Sequence, residues 1–70
     1  MFTALNISSP VTYTVGTKVV GKTSGAVGYI ADTGNNTHYI YLEHVSGVFT
    51  NGELLSINGR DSGTLEAAHS

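Results

Sequence analysis

The residues best suited to bind a metal ion are two histidines in one apolar segment, His38 and His44. Side chains alternate along a β-strand, so we expect both histidines on the face that also carries Ile40 and Leu42. Six residues of strand span about 20 Å, which is too far for two side chains to share an ion. We therefore interpret the histidines as the ends of a core-facing strip and expect no metal site.

A second candidate for chemistry is the match of residues 16–23 to a phosphate-binding loop, Gly-x-x-x-x-Gly-Lys-Thr. Such a loop must join a strand to a helix in a βαβ unit, and strand residues follow this one instead. No serine lies in a Gly-x-Ser-x-Gly nucleophile motif. The sequence therefore predicts that the protein is not an enzyme and has no catalytic residue and no cofactor.

The face opposite the histidines carries Tyr39, Tyr41 and Glu43. Aromatic rings can stack on sugars while a carboxylate accepts hydrogen bonds from their hydroxyls, so one interpretation is a glycan-binding face. The other is an ordinary half-exposed or interfacial strand face, where tyrosines are common. The pattern leaves both interpretations open, and we take these three residues as candidates for docking a partner.

The composition limits the possible partners. The 70 residues include three Lys or Arg, five Asp or Glu and no cysteine. Nucleic-acid affinity depends on basic residues that neutralise phosphates, so neither a nucleic acid nor an anionic membrane is expected as a partner. A single core of this size supplies about 3–5 kcal/mol without disulfides or a metal. We therefore expect association, as a homo-oligomer or a symmetric array.

Strand patterns dominate the chain. Residues 26–32 and 37–45 are rich in β-branched and aromatic residues, and the Gly-Asn run between them predicts a hairpin. Shorter strands are expected at 18–20 and 54–57, and Asn58-Gly59 is a strong tight-turn signal leading into residues 62–67.

An imperfect internal repeat organises these strands, with copies at about residues 13–29 and 49–67. Each copy reads as an aromatic residue, a glycine turn, a short strand, a second turn and a strand that opens with Ser-Gly. The expected structural turns are at Gly16, Gly25, Gly52 and Gly63. The repeat predicts an all-β, pseudo-symmetric barrel or roll of five or six strands, because closure removes exposed sheet edges.

Residues 1–11 lie outside the repeat and carry scattered apolar side chains before Ser8-Ser9-Pro10. We interpret them as an extended N-terminal arm, followed by a single small β domain at residues 12–70. The arm would lie across a neighbouring subunit, with Phe2, Leu5 and Ile7 as its docking residues.

Two motifs carry a resemblance to a known group of proteins. Residues 24–26 read Ser-Gly-Ala, and residues 46–53 read Ser-Gly-x-Phe-x-x-Gly-Glu. Over about residues 13–67 the chain resembles repeats found in structural proteins of tailed bacteriophages. It departs from that pattern in the first copy, where Thr17 occupies the position of the glutamate.

The resemblance implies a virion structural protein made in the host cytoplasm, most similar to a capsid decoration or cement protein. Its partners would be the major capsid protein or other virion proteins. One alternative is a tail, neck or fibre accessory protein with an adhesive or protein-docking face. A third possibility, from another class, is a small-barrel nucleic-acid-binding module, in which sheet aromatics stack on bases.

Overall fold

The protein is a closed antiparallel β-barrel of six strands in the computed structural model, which describes residues 3–32 and 34–69. The strands are β1 (Thr3–Tyr13), β2 (Lys18–Gly21), β3 (Val27–Ile30), β4 (Gly34–Ser46), β5 (Leu54–Ile57) and β6 (Arg60–His69). Their order around the barrel is β1-β4-β3-β2-β5-β6, and β6 pairs with β1 to close the sheet. The expected all-β class is confirmed, and so is the barrel.

Alternating side chains from all six strands fill the barrel. Leu5 of β1 pairs directly with Ile40 of β4, and both are fully buried. Burial of one such side chain stabilises the fold by about 1.5–3 kcal/mol. The buried apolar core consists of Leu5, Ile7, Tyr13, Val19, Ala26, Ile30, Ile40, Leu42, Phe49, Leu55, Ile57 and Leu65.

The predicted N-terminal arm is wrong for residues 3–11, because they belong to β1. Leu5 and Ile7 are 0% and 1% exposed, so neither can dock a partner. The polar run at residues 8–10, which suggested an arm, lies where the pairing of β1 with β4 shifts register between Asn6 and Val11. The single β domain therefore includes β1, and Phe2 lies outside the described residues.

The internal repeat is visible at two equivalent corners. Gly16 and Gly52 have φ angles of 90° and 89°, which fit the third position of a type II turn. The Gly16 N–H donates to the carbonyl oxygen of Ile30 over 2.8 Å, and the Gly52 N–H donates to that of Leu65 over 2.6 Å. The positive φ expected from the sequence is confirmed at both glycines.

The strand pairing extends this symmetry beyond the predicted repeat copies. Val20 of β2 pairs with Ser56 of β5. A two-fold rotation about this pair places β2 on β5, so that the residue pair on one side of it coincides with the pair on the other side. Farther around the barrel, Ile7 pairs with Leu65 as Leu42 pairs with Ile30. Thus β1 corresponds to β4, just as β2 corresponds to β5 and β3 to β6. The barrel therefore consists of two related units of three strands each.

The second Ser-Gly motif differs from the prediction. Gly25 lies in the connection between β2 and β3, but Gly63 lies inside β6, so the predicted turn there is wrong. The tight turn at Asn58-Gly59 starts β6 at Arg60. One extra residue of β6 is then accommodated as a bulge between the Ser56–Asp61 and Leu54–Thr64 pairs, where Gly63 has a φ of 80°.

Candidate functional site: an exposed tyrosine face

The most exposed aromatic surface of the barrel lies on the outer side of β3 and β4. Tyr29, Tyr39 and Tyr41 are 38%, 53% and 46% exposed. Their neighbours along each strand point inward, because Ile30, Ile40 and Leu42 are fully buried. We call these tyrosines, with Lys18 and Glu43 beside them, the tyrosine face. The sequence prediction placed Tyr39, Tyr41 and Glu43 together on this side of β4, and the structure does the same.

A row of paired residues crosses the tyrosine face from one strand to the next. Lys18 of β2 pairs with Tyr29 of β3, and Tyr29 pairs with Glu43 of β4. Neighbouring strands are about 4.8 Å apart, so the lysine and the glutamate flank Tyr29 at a backbone separation of about 10 Å. Among the described residues the one ion pair is Lys22–Asp61, elsewhere on the surface. The tyrosine face therefore carries one positive and one negative side chain that do not pair with each other.

Sequence reasoning did not include Lys18 and Tyr29 in the candidate site. The hairpin that joins β3 to β4 was expected, but its register was not, and the register places Tyr29 beside Glu43. Residues 27–30 read Val-Gly-Tyr-Ile, without polar–apolar alternation, so the sequence carried no clear signal that Tyr29 faces outward.

A buried tyrosine supports the tyrosine face from inside the barrel. The Tyr13 hydroxyl donates a hydrogen bond to the carbonyl oxygen of Tyr39. Burial, together with the charges of Asp32 and Tyr41, raises the pKa of Tyr13 above its ordinary value of 10.0. Tyr13 therefore remains a neutral donor that holds the β4 backbone in place beneath the exposed rings.

The buried carboxylate of Glu53 joins two distant turns. Glu53 is 4% exposed. Its Oε1 accepts from the N–H groups of Thr23 (3.0 Å) and Ser24 (2.8 Å), and its Oε2 accepts from the Ser24 hydroxyl (2.9 Å) and the Thr50 N–H (2.6 Å). Burial alone would raise the pKa of Glu53, but these hydrogen bonds outweigh it and lower the pKa. We call this group of contacts the Glu53 clamp.

The Glu53 clamp also explains Gly21. A Cβ atom at this position would lie 2.5 Å and 2.6 Å from the two carboxylate oxygens of Glu53. Thr17, which takes the place of Glu53 in the first repeat copy, makes a hydroxyl contact with Thr14 over 3.3 Å. The clamp is therefore present at one of the two equivalent corners.

The histidines do not form a site. Both side chains are exposed, so the expected core-facing strip does not extend to them. His44 has a φ of 52°, which interrupts the alternation of β4. The His38 Nδ1–H donates to the carbonyl oxygen of Ile7 over 2.9 Å, which fixes the ring against β1. The described part of the chain has no group of three His, Asp or Glu that could hold a metal ion.

Two open clefts lie near the two aromatic corners. One, of about 560 Å³, is lined by Val45, Val48, Phe49, Thr50 and Ala68. The other, of about 510 Å³, is lined by Tyr13, Thr14, Ile57, Arg60 and Ser62. The described residues of their walls are mostly apolar or carry hydroxyls, and among them no nucleophile lies beside a base. Neither cleft offers a better site than the tyrosine face.

Comparisons of the chain with protein-family models, with curated proteins and with solved structures found no match. In the residues that the structure describes, no helix is long and apolar enough to cross a membrane.

Proposed function

We propose that this chain is a non-enzymatic structural protein of a tailed-phage virion that decorates or cements the capsid shell. The observation that carries the proposal is the tyrosine face, a cluster of three exposed aromatic side chains on a small barrel. Tyrosine is favoured at interfaces because its ring is apolar and its hydroxyl is polar. The resemblance of residues 13–67 to repeats of phage structural proteins supports the same function.

The closed barrel determines how such a protein would dock. Strand addition needs a free sheet edge, and each of the six strands already pairs with two neighbours. Because β1 belongs to the barrel, residues 3–11 do not supply a free strand either. Docking is therefore through side chains on the outer faces, foremost the tyrosine face.

A small docking face fits a protein that is present in many copies. The three tyrosines, at 38%, 53% and 46% exposure, present roughly 300 Å² of surface. A stable isolated complex buries about 1,200–2,000 Å² in total, so one such contact is weak. On a symmetric shell, contacts with the major capsid protein or other virion proteins repeat, and avidity makes the assembly stable.

A tail, neck or fibre accessory protein is the second candidate, favoured by one specific observation. Tyr39, Tyr41 and Glu43 follow one another on the same side of β4, where aromatic rings and a carboxylate could together hold a glycan. In this case the tyrosine face is adhesive, and the protein is present in a small, fixed number of copies.

Fractionation of a lysate of the producing culture on a density gradient tests the proposal. The chain should sediment with particles, in a number comparable to the major shell protein. A small fixed number per particle would favour the tail or fibre role. Absence from every particle would overturn the virion proposal, and a salt-sensitive shift with single-stranded DNA would then support the nucleic-acid-binding alternative.

A rebinding experiment tests the role of the tyrosine face. Particles stripped of the chain are incubated with purified wild type or with the double variant Tyr39→Ser, Tyr41→Ser. We expect the double variant to lose particle binding while its β circular dichroism is unchanged. The matched control is Val48→Ser, which removes a side chain that is 85% exposed outside this face. Equal binding by all three proteins would exclude the tyrosine face as the docking surface.

A further inference from the structure

We propose that the tyrosine face binds a second copy of this chain, in a two-fold symmetric contact in which Lys18 of each copy lies against Glu43 of the other. The inference rests on the proposed function and deepens it, because it names a neighbouring copy on the shell, rather than a shell protein, as the virion component that the tyrosine face contacts. It follows from the order of side chains in the row that crosses β2, β3 and β4.

The row is self-complementary. Its central residue is Tyr29, which is 38% exposed, and the exposed Lys18 lies on one side of it with Glu43 on the other. The two charged groups are about 10 Å apart along the backbone row, so each is free to meet an opposite charge on another molecule. A face with a positive end, an aromatic centre and a negative end matches a rotated copy of itself.

The charges also select the orientation of the contact. A two-fold axis parallel to β3 brings Lys18 of one copy over Glu43 of the other, and it does so twice, with the Tyr29 rings in contact between the two pairs. A two-fold axis that lies in the plane of the contact but runs perpendicular to the strands would instead place lysine over lysine and glutamate over glutamate. Like charges in contact are unfavourable, so the first arrangement is the one that we propose.

The contact is expected to be weak in solution. The tyrosines supply roughly 300 Å² per copy, well below the surface of a stable dimer. We expect a dissociation constant on the order of 10⁻⁴ to 10⁻³ M, which weakens as salt screens the charges. On a shell, neighbouring copies are held at high local concentration, so a weak contact is sufficient to link them.

Sedimentation equilibrium of the purified full chain tests the proposal with charge-reversal variants. Lys18→Glu places two glutamates against each other at both ends of the contact, and Glu43→Lys places two lysines there. We expect each single variant to associate at least about tenfold more weakly than wild type. The double variant Lys18→Glu, Glu43→Lys restores opposite charges and should recover association. The control is Arg60→Glu, which changes the net charge as Lys18→Glu does but lies outside the tyrosine face, and it should leave association unchanged.

A mixing experiment isolates the pairing itself. In an equimolar mixture of Lys18→Glu with Glu43→Lys, both ends of the contact regain opposite charges. Each variant should therefore be monomeric alone, while the mixture forms a heterodimer. Circular dichroism of each variant, matched to wild type, establishes that lost association is not lost folding.

The outcomes separate this inference from the proposed function. Wild-type protein that remains monomeric to millimolar concentration overturns the self-contact, and so do single variants that associate as well as wild type. Variants that leave self-association unchanged but no longer bind particles would mean that the tyrosine face contacts a shell protein. That result also overturns the self-contact, and it leaves the virion function standing.

Discussion

Glu53 is the most consequential polar residue of the barrel. Its two carboxylate oxygens satisfy three backbone N–H groups and one hydroxyl, which belong to Thr23 and Ser24 in one turn and to Thr50 in another. A buried group of this kind stabilises a fold only while all of its hydrogen bonds are made, because each unsatisfied donor costs about 1–3 kcal/mol. The Glu53 clamp thus connects the turn after β2 to the corner before β5.

Replacement of Glu53 by glutamine should destabilise the protein severely. The amide keeps the shape but has one acceptor oxygen, so its NH₂ group must face an N–H of Thr23, Ser24 or Thr50. We expect a loss of about 2–3 kcal/mol, from a barrel whose core supplies only about 3–5 kcal/mol. Urea unfolding measures it, with the exposed Glu66→Gln as control. A cost for Glu53→Gln no larger than for the control would contradict the clamp.

The same carboxylate predicts an acid dependence of stability. Because the pKa of Glu53 is lowered on folding, the unfolded chain takes up the proton more readily than the folded chain does. The contribution of Glu53 is therefore fully present above its ordinary pKa of 4.5 and is lost as the pH falls through the lowered value. Urea midpoints measured from neutral pH into acid should show this decrease in wild type. In Glu53→Gln that part of the decrease should be missing.

The two glycine corners allow a test of whether the two repeat copies are energetically equivalent at their turns. Gly16 and Gly52 have nearly identical φ angles of 90° and 89°, and a Cβ at either would meet no atom within 4 Å. Alanine at each should therefore cost only backbone strain, about 1–2 kcal/mol, and the two costs should agree. Unfolding free energies of Gly16→Ala and Gly52→Ala check this. A large difference between them would show that the corners are not energetically equivalent.

β1 should be essential for folding. It lies between β4 and β6, and it buries Leu5 and Ile7 in the core. Removal of residues 1–11 would open the barrel along two edges and remove about 3–6 kcal/mol of apolar burial. We expect the shortened chain to lose its β circular dichroism, whereas Ser9→Ala, an exposed change in the same strand, should retain it. A folded shortened chain would restore the interpretation of this segment as an arm.

The whole barrel closes within one chain. Its accessible surface of 4025 Å² is close to the roughly 4,200 Å² expected of a folded monomer of this mass. Its radius of gyration is 10.1 Å, and about 11 Å is typical of this length. Each strand finds both of its pairing partners within the one chain.

The thermal unfolding midpoint should consequently not depend on protein concentration, provided that the concentration is too low for the self-contact to form. An obligate dimer unfolds at higher temperature when more concentrated, and a monomeric barrel does not. Thermal unfolding of wild type at micromolar concentration should give the same midpoint over a roughly tenfold range. A midpoint that rises with concentration would mean that a second chain completes the fold.

Local features of the sequence determined much of the architecture. A short apolar run predicted β5 at its observed position, and runs rich in β-branched and aromatic residues around a Gly-Asn turn predicted the hairpin of β3 with β4, because these signals act over a few residues. The spacing of Gly16 and Gly52 predicted two equivalent corners, since positive φ is favourable mainly for glycine. The outward direction of Tyr39 and Tyr41 followed from the period of two.

Only the tertiary structure decided which distant segments meet. The place of β1 depends on closure between β4 and β6, and the short Leu5-x-Ile7 alternation did not reveal it, because a bulge and Pro10 interrupt the pattern. The partners of Glu53 and the row from Lys18 to Glu43 depend on strand register. Register follows from packing of the whole core, in which many side chains must fit at once, and no local pattern encodes it.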